Sequence, residues 1–303
     1  MLIVEHLREL TLQRPTHTPG QRHLSAASGL VCAHGRAYVM GDDEHALAVF
    51  SAAHTPGRTV RLFEGELPAG KKARKRLKPD TETLMLLPAS RAWPQGALLA
   101  LGSGSRPNRL RGAFIELGPA GEPQPPARLL DFSALYAPLL QRFAELNIEG
   151  AFIVQRELVL LQRGHQGGSP NASLHYPLSA FLRWLHGIGP APAPQRIRRH
   201  RLGRVDGVPL SFTDGAALAD GRWLFTAVAE ATDDSVADGA CVGSAVGVMT
   251  ATGEVQTLFA LPGREKVEGI AARVDGRTVA LCLVTDADDP RIASRLLRSR
   301  FTL

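Results

Sequence analysis

Acidic residues recur in this sequence at the openings of apolar runs. Glu82, Glu149, Asp214 and Glu268 each precede a stretch such as TLMLL, GAFIV, GAAL or GIAAR, and Ser28 precedes GLVCA. A second polar set follows the next apolar run of each copy. It comprises GDDEH (41–45, with Asp43), GSGSRPNR (102–109), RGHQ (163–166), EATDD (230–234) and TDADDP (285–290). If the two sets meet, several carboxylates crowd one partly desolvated place and cannot all stay ionised without positive partners. Two arrangements would satisfy them. One is a hard cation, Ca²⁺ above all, held by oxygens of Glu82, Glu149, Asp214, Glu268 and Asp286. The other is a set of internal ion pairs with Arg106, Arg109, Arg163 or His165.

The glycine-rich loop GSGSRPNR offers a further possibility, an anion cradle in which Ser103 and Ser105 donate and Arg106 and Arg109 supply charge. It lacks the Lys-Ser/Thr of a P-loop and is equally compatible with a plain turn. Asp43 and Asp288 are candidate bases, although the VTDADDP cluster also reads as turn chemistry ahead of Pro290. Arg163 and His165 are candidates for holding substrate charge. No GxSxG elbow and no HExxH occurs, and no cysteine sits in an activating context.

The elements that must position these residues form an internal repeat. The five openings lie 54, 67, 65 and 54 residues apart (28, 82, 149, 214, 268). The interval from Glu268 through the C-terminus and on from Met1 to Ser28 is 63. Each interval suits one four-stranded blade with its loops, so the expected fold is all-β, a single β-propeller over residues 1–303 with five blades, six remaining open. The last copy holds three strand candidates, and the segment around Leu7 to Leu12 is free to supply the fourth and close the ring. Phe132, Leu135, Tyr136, Leu139, Leu140 and Phe143 recur at helical spacing, with Asp131 or Ser133 available as a cap. LSAFLRWL (Leu178 to Leu185) reads as a second short helix. In such a ring the opening residues and the loops after each second strand gather at one mouth of the central channel.

Composition bounds the partners. The net charge of +6 comes from two runs, KKARKRLK and RIRRHRLGR, which hold eleven of the 35 bases and leave 24 against 29 acids. The 71–78 run reads as a solvated loop, or else as an attraction for an acidic protein partner. With 6% aromatics and no recognised motif, nucleic acid is not expected. The first ten residues carry Glu5 and Glu9 and do not read as a secretory signal, and no apolar run is long enough to span a membrane, so a cytoplasmic location is expected. Cys32, Cys241 and Cys282 are odd in number and argue against a disulfide framework; Cys32 and Cys282 lie in strand-like runs and read as core.

The phrases YVMGDDEHALAVF, LLALGSGSRPNR, NIEGAFI, GVPLSFTDGAAL, KVEGIAAR and LVTDADDP resemble an uncharacterised bacterial family of about this length. That family in turn is similar to phytase-like, or esterase-like, propellers and more distantly to calcium-dependent lactonase propellers. The resemblance implies a metal in the channel mouth, with Glu149, Asp214 and Glu268 at places comparable to the lactonase ligands. It further implies hydrolysis of an ester, lactone or phosphoester, with a small anionic or lactone-like ligand. The asparagines of the lactonase pattern are not evident in the motifs. The rival expectation is a non-catalytic propeller that binds a small ligand or a protein on the same face.

Overall fold

In the computed structural model, residues 2–16, 20–51, 54–165, 168–231 and 239–303 are described. They form five antiparallel sheets arranged in a ring. Blade one is β2 (Ala27–Ala33), β3 (Arg36–Gly41), β4 (Ala46–Ser51) and β5 (Arg58–Arg61). Blade two is β6 (Thr81–Leu87), β7 (Ala97–Gly102), β8 (Arg111–Leu117) and β9 (Pro123–Asp131). Blade three is β10 (Ile148–Val154), β11 (Glu157–Gln162), β12 (Asn171–Pro177) and β13 (Arg196–His200). Blade four is β15 (Val208–Ala217), β16 (Trp223–Ala231), β17 (Ala240–Met249) and β18 (Val255–Ala260), with the two-residue β14 (Arg204–Val205) as a fifth strand beside β15.

Blade five is built from both ends of the sequence. β19 (Lys266–Asp275), β20 (Thr278–Asp286) and β21 (Arg295–Thr302) are completed by β1 (Val4–Glu9), which pairs with β21. The closure expected of the N-terminal segment is thus found, and the blade count is five. The innermost strands β2, β6, β10, β15 and β19 neighbour one another in that order around the axis.

Burial follows from the ring. Alternate residues of an inner strand face opposite ways, one toward each neighbouring blade. Leu30 packs into the core between blades five and one, and Val31 into the core between blades one and two. Five such apolar clusters fill the five interfaces. Both faces of a strand are therefore buried, which is why runs such as LVLL and VALCLV are continuously apolar rather than alternating.

Three helices fill the linkers. α2 (Ser133–Leu140) and α3 (Leu178–Leu185) bury Leu135, Tyr136, Leu139, Phe181 and Leu185 between blades two and three. Asp131 takes the N–H of Ser133 at 2.8 Å in the turn that leads into α2, whose N-cap residue is Phe132, so neither expected cap residue holds that position. α2 ends at Leu140, which is exposed, while Phe143 is buried beyond it. α1 (Lys71–Leu77) departs from expectation: the basic run is a helix, not a loop, and Arg74 and Lys78 are buried. Among the described residues no helix is long and apolar enough to cross a membrane.

Candidate functional site

Each inner strand carries a β-bulge, at the second residue in β2, β6 and β10, at the third in β19 and mid-strand in β15. The register slips at Ser28 in β2, Glu82 in β6, Glu149 in β10, Thr213 in β15 and Glu268 in β19. A bulge inserts one residue and re-aims its side chain. Ser28, Glu82, Glu149 and Glu268 accordingly line a cavity of about 1060 Å³ at one mouth of the channel. The glycine after the bulge follows from the narrow axis. A Cβ on Gly29 would stand 2.6 Å from the Leu84 backbone nitrogen, and one on Gly269 would stand 2.6 Å from the Ser28 carbonyl oxygen.

The fourth copy is shifted by one. Thr213 holds the bulge, and its hydroxyl donates to the Val267 carbonyl at 2.9 Å. Asp214 falls at the position that glycine takes in three other blades. It is 1% exposed, and its carboxyl accepts N–H groups from Gly215 at 2.7 Å and from Ile270 at 3.0 Å. Burial, only partly offset by those bonds, pushes its pKa well up. Asp214 therefore joins blade four to blade five below the cavity wall and does not meet the other proposed metal ligands there.

A second ring stands two residues before the bulges: Ala26, Asp80, Asn147, Ser211 and Lys266, all on the cavity wall. It contributes residues that the motif reading missed. Asn147 donates to Glu149 at 2.6 Å, so an asparagine does stand in the mouth. Lys266 lies 3.3 Å from Glu268, 3.2 Å from Glu230 and 3.2 Å from Asp288. The signal for Lys266 is its i, i+2 spacing from Glu268, which puts both side chains on one face of the strand.

Two ion networks result. In the first, Arg163 at the end of β11 pairs with Glu230, lies 3.4 Å from Glu149 and reaches within 3.9 Å of Glu268. Burial alone would lower the Arg163 guanidinium, but Glu149, Glu230 and Glu268 outweigh it and hold its pKa well up. The same balance, against burial and in favour of Glu268 and Glu230, raises Lys266. Four carboxylates, those of Glu149, Glu230, Glu268 and Asp288, share these two cations, and burial carries Glu268 to about 8 in spite of Lys266 and Arg163.

In the second network Lys78, just past α1, pairs with Asp42 and lies 2.8 Å from Asp80. Arg109 is 2.7 Å from Asp80, and Arg74 of α1 is 3.0 Å from Asp43. Burial opposes the charge on Lys78, but Asp42 and Asp80 outweigh it. Burial likewise would raise Asp80, yet Lys78 and Arg109 bring it down. Burial exceeds the pull of Lys78 at Asp42 and carries it to about 6. Glu82 makes no hydrogen bond or ion pair among the described residues, and its carboxyl lies with those of Asp42 and Asp80, oxygens within 4.8 Å. Burial, then Glu149, Asp42 and Asp80, pushes Glu82 well above the carboxylate range.

The other expected residues divide between structure and opening. Ser103 is fully buried and donates to Asp80 at 2.5 Å, while Ser105 lies 2.8 Å from both Ser103 and Arg109. Three members of the expected anion cradle are thus occupied with Asp80 and one another. Arg106 lines the cavity with its guanidinium unpaired among the described residues. His165 pairs with Glu145 at the wall. The candidate bases are both engaged, Asp43 by Arg74 and Asp288 by Lys266. Asp286 is buried; its carboxyl takes the Asp288 N–H at 2.7 Å, and burial raises its pKa well up, in spite of Lys266. Gln166 and Thr232 to Asp234, parts of two expected mouth loops, lie outside the described residues.

The fold recurs among solved structures at low identity. A candidate glycoside hydrolase from Parabacteroides distasonis aligns with TM-score 0.51 at 10% identity, covering 97% of each chain. A gluconolactonase from Xanthomonas campestris aligns at 0.42 and 13%, over 91% of this chain and 72% of that one. The hydrazine synthase of Kuenenia stuttgartiensis aligns at 0.42 and 11% over 85% of this chain, which spans only 63% of the synthase. No curated protein matches. One sequence family does, over residues 23–301, so the chain belongs to the family of unknown function DUF6929.

Proposed function

We propose that this chain is a ligand-binding propeller whose mouth takes a small anionic, hydroxylated molecule, with the buried acids neutralised by its own lysines and arginines. The observation that carries this reading is the seating of Arg163 and Lys266 among Glu149, Glu230 and Glu268, with Lys78 between Asp42 and Asp80. A resident calcium held by Glu82, Glu149, Asp214, Glu268 and Asp286 fits these residues poorly. Asp214 is spent on backbone N–H groups, and Arg163 and Lys266 already stand beside Glu149 and Glu268. The tightest carboxylate group, Asp42, Asp80 and Glu82, has the Lys78 ammonium bonded to two of its members.

Charge and donors define the ligand class. Arg106 and Arg201 stand at the opening with unpaired guanidinium groups among the described residues, a match for a carboxylate or phosphate. Deeper in, the carboxyls of Glu82 and Glu268, both raised by burial, can donate to hydroxyl or carbonyl oxygens when protonated, and the buried Asp42 Oδ1 lacks a donor. A volume of about 1060 Å³ suits a molecule of sugar-acid or sugar-phosphate size. Calorimetry with inorganic phosphate, gluconate and glucose 6-phosphate tests the reading. Saturable binding of one of them, unaffected by EDTA, is the expected result; heats absent for all three would contradict it.

A second reading, hydrolysis of a small ester, lactone or phosphoester, is favoured by Glu82 itself. An unpartnered carboxyl whose pKa is pushed well above the carboxylate range is suited to protonate a leaving oxygen. Turnover of a lactone or phosphoester that disappears in Glu82→Gln would select this reading; turnover that persists would remove Glu82 from it.

A further inference from the structure

Three residues whose sequence setting suggests core packing stand partly outside it: Cys32 is exposed, Cys282 half-buried and Leu140 48% exposed. Of these only Leu140 faces the channel mouth, which it lines from the end of α2. Exposed Ala144 and half-buried Pro170 and Pro209 line the same mouth.

Hydrogen bonds of their neighbours set these four residues in one arc. The Phe143 N–H donates to the Leu139 carbonyl at 2.9 Å, which continues the helical path from Leu140 toward Ala144. The Glu145 N–H donates to Ser169 Oγ at 3.0 Å and brings Ala144 beside Pro170. The Asn171 side-chain amide donates to the Leu210 carbonyl at 2.9 Å and brings Pro170 beside Pro209. Within the arc the charged groups are engaged with each other, since Glu145 pairs with His165. Across the ring, where α1 meets the 285–290 loop, the wall is charged instead, and Lys71 donates to the Asp288 carbonyl at 3.2 Å.

Each end of the arc carries a guanidinium unpaired among the described residues. Arg106 belongs to the loop that abuts α2, for a Cβ on Gly104 would stand 2.9 Å from Leu146 Cδ2 and 3.1 Å from the Tyr136 ring. Arg201 lies at the other end: the Leu210 N–H, next to Pro209, donates to the Gly203 carbonyl at 3.1 Å.

Taking the mouth as an anion site, as proposed above, we infer that its ligand is an aromatic anion whose ring lies on this arc and whose carboxylate, phosphate or phosphonate meets Arg106 or Arg201. Leu140, Ala144, Pro170 and Pro209 offer a ring apolar surface that water otherwise covers, and the two guanidinium groups hold the charge beside it. A sugar laid on the same arc would turn hydroxyls toward side chains that cannot bond them. Hydroxyl groups of the ligand belong on the floor, toward Glu82 and Asp42.

Calorimetry on the purified full chain with methylphosphonate and phenylphosphonate, which carry the same charge and differ by the ring, tests this. Phenylphosphonate should bind about tenfold more tightly or better, the gain expected for taking a ring and the arc out of water. In Leu140→Ser, a variant whose exposed position leaves the core intact, the ratio of the two affinities should fall severalfold. Equal affinities, a ratio unmoved by Leu140→Ser, or binding of glucose 6-phosphate without binding of phenylphosphonate would overturn the inference and leave the anion site standing. Absence of heat from both phosphonates and from phosphate, gluconate and glucose 6-phosphate would remove the anion site and the ring contact with it.

Discussion

The two ion networks of the mouth do the same task with different architecture. Around Glu149, Glu230 and Glu268, the cations sit on the blades themselves: Arg163 follows β11 and Lys266 begins β19. Around Asp42, Asp43 and Asp80, two of the three cations come from an insertion, since Arg74 lies on α1 and Lys78 just beyond it. A seven-residue helix has little stability of its own and depends on its contacts. The comparison teaches that one side of the mouth is fixed by the sheet scaffold, while the other is secured by a segment held largely through charge.

Variants can break that comparison. Arg163→Ala should have the largest effect, because it leaves Glu149, Glu230 and Glu268 with Lys266 alone. A loss of about 3–5 kcal/mol, read by urea unfolding, is the expectation for removing one partner of a buried charge cluster. Lys78→Met should cost less, about 1–3 kcal/mol, because Asp80 keeps Arg109 and Ser103 and Asp42 can take up a proton. Equal losses in the two variants would mean that the helical side is as fixed as the scaffold side.

The pH dependence sharpens the contrast. Glu268 has its pKa raised by burial to about 8, above the ordinary 4.5. Its contribution to stability is full below pH 4.5 and is lost as pH rises through about 8. Stability measured from pH 5 to 8.5 should therefore decline, and Glu268→Gln should flatten the decline. An unchanged slope in that variant would place the proton elsewhere in the network. Arg106→Ala should alter stability by no more than about 0.5 kcal/mol, as an unpaired rim residue. It should nonetheless weaken binding of the anionic ligand severalfold, and unaltered affinity would remove Arg106 from the ligand contact.

Much of the architecture was legible because it repeats. The bulge with its following glycine recurs at Ser28–Gly29, Glu149–Gly150 and Glu268–Gly269, each glycine imposed by close approach of the next inner strand. The same regularity misleads at Asp214, where the DG pair looks like the others but the register slips one residue earlier, at Thr213. The cations were harder to see. Which acid Lys78 or Arg163 meets is decided by blades that lie far apart in sequence, and spacing carries that information only for pairs such as Lys266 and Glu268 on one strand. The run KKARKRLK reads as solvated because nothing local indicates that Asp42, Asp43 and Asp80 surround it.

The most direct test of the central claim, that the mouth supplies its own cations, is the melting temperature of the purified chain in EDTA and in millimolar calcium. A calcium site filled to about a hundred times its dissociation constant would add about 2.7 kcal/mol, a rise of several degrees. The account predicts melting temperatures that agree within about one degree, since Arg163, Lys266 and Lys78 already occupy the places among the acids. A calcium-dependent rise of several degrees would contradict it and make these residues the rim of a metal centre.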